Sequence, residues 1–294
     1  MGLSHVDPAV HRWLTPGAVA RATPVAFAAA VVALQIAYPL VAQGPARDRL
    51  TVLIVLCFAV ASLSHALVTR GAAFTLALVA TTTVGGLAVE VLGVSTGVPF
   101  GQYRYAGSLG VQVFGVPVVV ALAWTMMAYP AYVVSERIGG GLFRRIVVGG
   151  WALASWDLFL DPQMVQAGHW EWSTHGPALA GIPLTNYLAW FVVASAMMAG
   201  LRALAPSQPA SGVDDRVPLT LYVWTYASSV LAHAAFFGLP MSAAAGGIGM
   251  GVVVAALVLR AQADAAARPV RVTAGSRQRA PAAMPADRER PRGR

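Results

Sequence analysis

Leu50–Thr69 reads LTVLIVLCFAVASLSHALVT, twenty residues without a formal charge. A helix rises about 1.5 Å per residue, so about 20 mostly apolar residues span the hydrocarbon layer of a bilayer. Outward from this run the pattern repeats at 25–42, 72–93, 113–134, 145–160, 182–204, 218–238 and 243–260, the 145–160 run being the shortest and most polar. The first run is too long for a signal h-region and no cleavage pattern follows it, so it reads as a span. The expectation is an all-α polytopic membrane helical bundle of about eight transmembrane helices. It divides into an N-terminal cytoplasmic segment (1–24), a transmembrane domain (25–262) and a basic tail (263–294).

Composition agrees. Of 294 residues 57% are hydrophobic and 11% charged, against about 25% charged in a soluble domain; the mean hydropathy is +0.64. Every basic residue is Arg, and the lack of any Lys excludes a retinal Schiff base. The net charge of +8 is concentrated in a tail rich in Arg, Pro, Ala and Gly. Such a tail cannot offset its ordering entropy and is expected to be disordered, suited to an anionic membrane surface rather than to nucleic acid. Cys57, inside an apolar run, reads as a small buried side chain. With the N-terminus cytoplasmic, eleven arginines flank the inner ends of the runs (12, 21, 70, 137, 144, 145, 202, 216, 260, 268 and 271). Three (Arg47, Arg49 and Arg104) fall in outer loops. By the positive-inside rule both termini are then cytoplasmic, in a protein of the cell (plasma) membrane. No heptad, zinc-spaced Cys/His set, phosphate loop or internal repeat is evident. Glycine runs at Gly85-Gly86 and Gly246-Gly247 read as close helix packing.

Glu90 and Asp157 sit inside apolar spans, where an ionisable group costs about 2.5–3.5 kcal/mol on insertion scales and marks a functional site. Asp161 lies one helical turn after Asp157 on the same face, and Pro162 is expected to end the helix. Like charges at that spacing repel and burial disfavours ionisation, which suits a proton-donating carboxyl beside an ionised partner. The plainer reading is that these acids pair with Arg104 or cap neighbouring helices. Outer loops at 94–112 and 161–181 carry Phe100, Tyr103, Tyr105, His169, Trp170, Glu171, Trp172 and His175. These are either an interfacial belt or the wall of an apolar pocket whose ring faces stabilise a cation. Asn186 either orients a water or caps a helix. His65 and His233 fall at opposite faces, against a shared haem. His169, Glu171, His175 and Asp161 match no familiar metal motif.

Four ordered stretches then resemble one family: EVLGVSTGVPFGQYRY from Glu90 to Tyr105, WDLFLDP from Trp156 to Pro162, GHWEW from Gly168 to Trp172, and GIPLTNYLAW from Gly181 to Trp190. They are similar to the signatures of the membrane carotenoid hydratases, which include carotenoid 1',2'-hydratases and bisanhydrobacterioruberin hydratases. The resemblance is strong over about 85–190. It implies addition of water across the terminal double bond of an acyclic carotenoid ψ end group, with no cofactor and no metal, beside other enzymes of carotenoid biosynthesis as candidate partners. On that chemistry Asp157 or Asp161 is the acid and the other carboxylate, or Glu90, the base. Tyr103, Trp156, Trp170, Trp172 and Asn186 bind substrate. Two alternatives remain open. An intramembrane prenyltransferase would use Asp157-x-x-x-Asp161 for Mg²⁺–diphosphate, although a second Asp-rich motif is lacking. A lipid or carotenoid carrier would use the pocket without chemistry.

Overall fold

The computed structural model describes residues 16–173, 176–205 and 213–267. Arg12, His175 and the tail from Arg268 lie outside them. Among the described residues eight long helices form the bundle: α1 (Pro16–Ala37), α2 (Pro45–Arg70), α3 (Ala72–Thr96), α4 (Val118–Ile138), α5 (Leu142–Gln166), α6 (Leu184–Leu204), α7 (Arg216–Ala235) and α8 (Pro240–Ala266). Each coincides with one apolar run of the sequence. Six are long and apolar enough to cross a membrane; α5 and α7 do not meet that measure. The chain is an all-α polytopic membrane bundle. α1 begins at Pro16, ahead of the boundary expected at 24/25. Proline needs no amide partner in a first helical turn.

α4 is the central helix. Its stretch VVVALAWTMMAYPAYVVS carries no charge before Glu136, and it packs against α2, α3, α5, α7 and α8. Trp124, Met127 and Tyr129 of α4 are fully buried. At one end of the bundle Asp215 joins Arg70 (2.7 Å) and Arg137 (3.0 Å), while Glu136 joins Arg145 (2.9 Å) and Arg202 (2.8 Å).

Two expectations change. Pro162 does not stop α5, which continues to Gln166. A proline frees the carbonyl four residues earlier; here the Leu158 carbonyl accepts from Ser242 Oγ of α8 at 2.6 Å. Pro130 in α4 is tolerated in the same way, the Met126 carbonyl accepting from Ser62 Oγ of α2 at 2.9 Å.

A repeat is also present. After α3 come β1 (Tyr103–Tyr105), β2 (Gln112–Val113) and β3 (Val116–Pro117), then α4. After α5 come β4 (Trp170–Trp172), β5 (Ala178–Leu179) and β6 (Ile182–Pro183), then α6. β2–β3 and β5–β6 are matching hairpins, each delivering its proline to a helix start. β1 and β4 pair antiparallel, Arg104 opposite Glu171, and so join the two units.

Candidate active site

β1 and β4 build the roof of the site. Side chains alternate across a strand, so Tyr103, Tyr105, Trp170 and Trp172 face inward while Arg104 and Glu171 face out and pair with each other (Nε to Oε1 2.5 Å). Arg104 is therefore not the partner of Glu90. Across the ribbon Tyr103 stacks on Trp172 at 5.6 Å, and Tyr105 meets Trp170 edge-on at 5.4 Å.

Beneath the ribbon, Glu90 of α3 accepts three hydrogen bonds: from Tyr103 Oη (2.6 Å) and Tyr105 Oη (2.7 Å) on Oε2, and from Trp124 Nε1 (2.9 Å) on Oε1. Burial first, then the neighbouring Glu90 charge, push both tyrosine phenols above their ordinary value, so they stay donors. Gly86, Glu90 and Gly93 share one face of α3. A Cβ on Gly86 would stand 2.8 Å from the Trp124 ring, and one on Gly93 would stand 2.6 Å from Tyr103 Oη. Only glycine lets both donors reach the carboxylate. The close-packing reading holds here, and also at Gly246, where a Cβ would meet the Phe159 ring at 2.6 Å.

α5 supplies the second acidic group. Asp157 and Asp161 are both buried, one helical turn apart on the same face of α5. Asn186, in the first turn of α6, donates to both, at 2.9 Å to Asp157 Oδ2 and 2.5 Å to Asp161 Oδ2. Trp170 Nε1 donates to Asp161 Oδ1 at 3.2 Å. Asn186 thus bridges carboxyls rather than capping its helix.

Glu90, Asp161 and Asn186 line a common cavity of about 150 Å³ with Tyr103, Trp156, Trp170 and Trp172. Asp157 is not on its wall. A cavity of this size holds an apolar group comparable to benzene, so it fits one end of a long hydrocarbon. Its walls include two tryptophans that were not singled out from sequence. Trp124 and Trp190 stack at 3.9 Å and 14°, with Trp156 edge-on to Trp190 at 6.2 Å. Spacing alone held a signal for both. Trp124 follows Pro117, and Trp190 follows Pro183, by seven residues; thirteen separate Glu90 from Tyr103 and Asp157 from Trp170. The repeat superposes a Glu-centred half-site on an Asp-centred one.

The histidines serve elsewhere. His169 is fully buried, with Nδ1 2.8 Å from Ser108 Oγ and Nε2 3.8 Å from Asp48; burial pushes it below the usual imidazole value, against the pull of Asp48. Asp161, His169 and Glu171 point to different partners, and among the described residues no three His, Cys, Asp or Glu gather as metal ligands. His65 binds Tyr129 Oη and the Asp214 carbonyl, each at 2.8 Å, while His233 contacts Ser242 and Gln163.

Fold and site define a polytopic helical membrane protein with a carboxylate-bearing, aromatic-walled cavity. The family described as carotenoid biosynthesis protein matches residues 50–254, and the chain belongs to it. Its place is therefore in carotenoid biosynthesis. It is also similar to the bisanhydrobacterioruberin hydratase of Haloarcula japonica, 30% identical over 126 residues, which cover 41% of this chain and 42% of that protein. The match thus spans less than half of that relative's length. No solved structure matches.

Proposed function

We propose that this protein adds water across the terminal double bond of an acyclic carotenoid ψ end group, giving a tertiary alcohol. One observation carries the reading: Asp161 and Glu90 come from different helices onto one aromatic-walled cavity, each held by hydrogen-bond donors that are already in place. Asp161 gives its proton to the less substituted alkene carbon, leaving a tertiary cation at the other. The stacked Trp124–Trp190 pair and Trp156 offer ring faces to that charge. Water oxygen bonds to the cationic carbon and its surplus proton passes to Glu90, whose three partners are all donors. Proton return from Glu90 to Asp161 closes the cycle. Asp157, off the cavity wall, positions Asp161 through Asn186, which donates to both. Tyr103, Trp156, Trp170 and Trp172 enclose the end group.

The test is conversion of an acyclic carotenoid by the purified protein in lipid vesicles. In H₂¹⁸O the label should enter the tertiary carbon, and in D₂O deuterium should enter the adjacent one. General acid–base catalysis contributes about 10²–10⁴-fold, so Asp161→Asn and Glu90→Gln should each lose about that much. Asp157→Asn should lose less. EDTA should leave the rate unchanged, because no step of the proposed reaction invokes a metal. Binding without conversion would identify a carrier, and turnover that needs Mg²⁺ and a prenyl diphosphate would identify a transferase; either sinks the hydratase reading.

A further inference from the structure

A cavity of about 150 Å³ takes a group the size of benzene, whereas an acyclic carotenoid is a long polyene that ends in one such group. While the end reacts, the rest of the molecule has to pass out through the wall. The polyene is apolar and is more stable in lipid than in water. The opening that serves it must therefore face the hydrocarbon layer.

The wall meets that condition between α1 and α7. Gln35 and Tyr38 line the cavity from the end of α1, as do Ser228, Ser229 and Ala232 of α7 and Phe237 just beyond it. α1 packs on α2 and α7. The wall is one helix thick here: Ile36, beside Gln35, is 53% exposed, and Leu231, beside Ala232, is 61% exposed. Two contacts close the seam. Trp224 Nε1 of α7 donates to Gln35 Oε1 at 2.8 Å. Tyr38 meets Phe237 edge-on at 5.9 Å, with the Arg47 guanidinium 5.4 Å from the first ring and 5.9 Å from the second. Both are contacts between side chains of separate helices, so they can part without unwinding either one. α7 rises about 16 Å from Trp224 to Ala235, about half of a hydrocarbon layer of about 30 Å. The seam thus opens on lipid rather than on the aqueous face.

We propose that the α1–α7 seam is the portal of the cavity, and that the polyene of the carotenoid occupies it during the reaction. This rests on the hydration reading in taking the ψ end as the part that reaches Asp161 and Glu90. The end group enters from the bilayer as the Gln35–Trp224 and Tyr38–Phe237 contacts part. The polyene then lies between α1 and the short side chains of Ser228, Ser229 and Ala232, and runs back into lipid. A short molecule with the same end group needs the seam open only while it enters. A carotenoid needs it open throughout, so substrate length is sensed here and not at the acids.

The experiment uses the full chain in lipid vesicles with an acyclic carotenoid. A diazirine amino acid placed at Ile36 or Leu231 should form a carotenoid adduct on illumination. At Leu188 of α6, 65% exposed, the yield should be at least threefold lower. In a second arm, Ser228→Trp and Ala232→Phe fill the seam. Each should lower kcat/KM for the carotenoid at least tenfold, and change it less than about twofold for a ten-carbon acyclic hydrocarbon with the same end group. Equal adduct yields at the three positions, or variants that slow both substrates alike, overturn the portal. Cross-linking needs no bulky side chain in the seam and no turnover, so it decides the matter should the filled variants fail to accumulate. Adducts confined to the seam in a protein that makes no alcohol would support the portal and overturn the hydration reading.

Discussion

At the residue scale the site turns on Asn186, which ties α6 to both carboxyls of α5. The Asp157/Asp161 pair is legible from helical spacing alone, and Asn186 stands out as a polar side chain at a helix start. Its bridging role is not legible, because it depends on α5 and α6 lying side by side. Arg104 shows the same limit. Read as loop, it is a natural partner for Glu90; strand alternation instead turns it outward to Glu171. A hydrogen bond to a charged group is worth about 1.5–3 kcal/mol, about ten- to hundredfold if expressed in the transition state. Asn186→Leu should therefore lower kcat by roughly that factor with KM little changed, measured at matched expression. A full-rate variant would show that Asp161 needs no alignment.

At the element scale, helix positions follow from hydropathy because lipid leaves the backbone no other economical way to satisfy its hydrogen bonds. Prolines mislead for the same reason: within a bundle a freed carbonyl finds a neighbour's hydroxyl. Ser62 on the Met126 carbonyl is the cleaner case, since among the described residues its hydroxyl bonds to that carbonyl alone. Ser62→Ala should destabilise the protein by about 1–3 kcal/mol, the cost of leaving a buried carbonyl unsatisfied. In a Pro130→Ala background, the restored amide at 130 supplies the lost bond, and the same substitution should cost much less. Detergent melting curves of the four proteins form the cycle; equal costs in both backgrounds would refute the compensation. The β1–β4 ribbon escapes sequence reading because three-residue strands carry too little alternation to stand out between apolar runs.

At the scale of the whole molecule, the two helix–ribbon–helix units explain why the chemistry gathers at one end of the bundle. Each unit brings a helix-borne carboxylate under its own aromatic strand, Glu90 under β1 and Asp161 under β4, and the β1–β4 pairing accompanies their meeting at one cavity; Asp157, the positional counterpart of Glu90, stays behind the wall. The repeat is hidden in sequence because equivalent positions have diverged chemically: Glu90 against Asp157, Tyr103 and Tyr105 against Trp170 and Trp172. The helices that fall short of the apolar measure, α5 and α7, carry polar side chains at or beside the cavity, Asp157 and Asp161 on one and Thr225, Ser228 and Ser229 on the other. We infer that they nevertheless cross the membrane. α5 packs against α4, α6 and α8, and α7 against α1, α4 and α8, all of them apolar enough to span. The Arg70–Asp215–Arg137 and Arg145–Glu136–Arg202 clusters lie at the end away from the ribbon, so the positive-inside rule puts the ribbon and cavity mouth outside. Reporter fusions after Arg216 and at the C-terminus should then report cytoplasm, and fusions near Gly107 and Gly176 the opposite side. A C-terminus outside would mean an odd number of crossings. Arg216 and Gly176 reporting the same side would mean that α6 does not cross, and Asn186 would then lack the spanning helix that holds it between the two carboxyls.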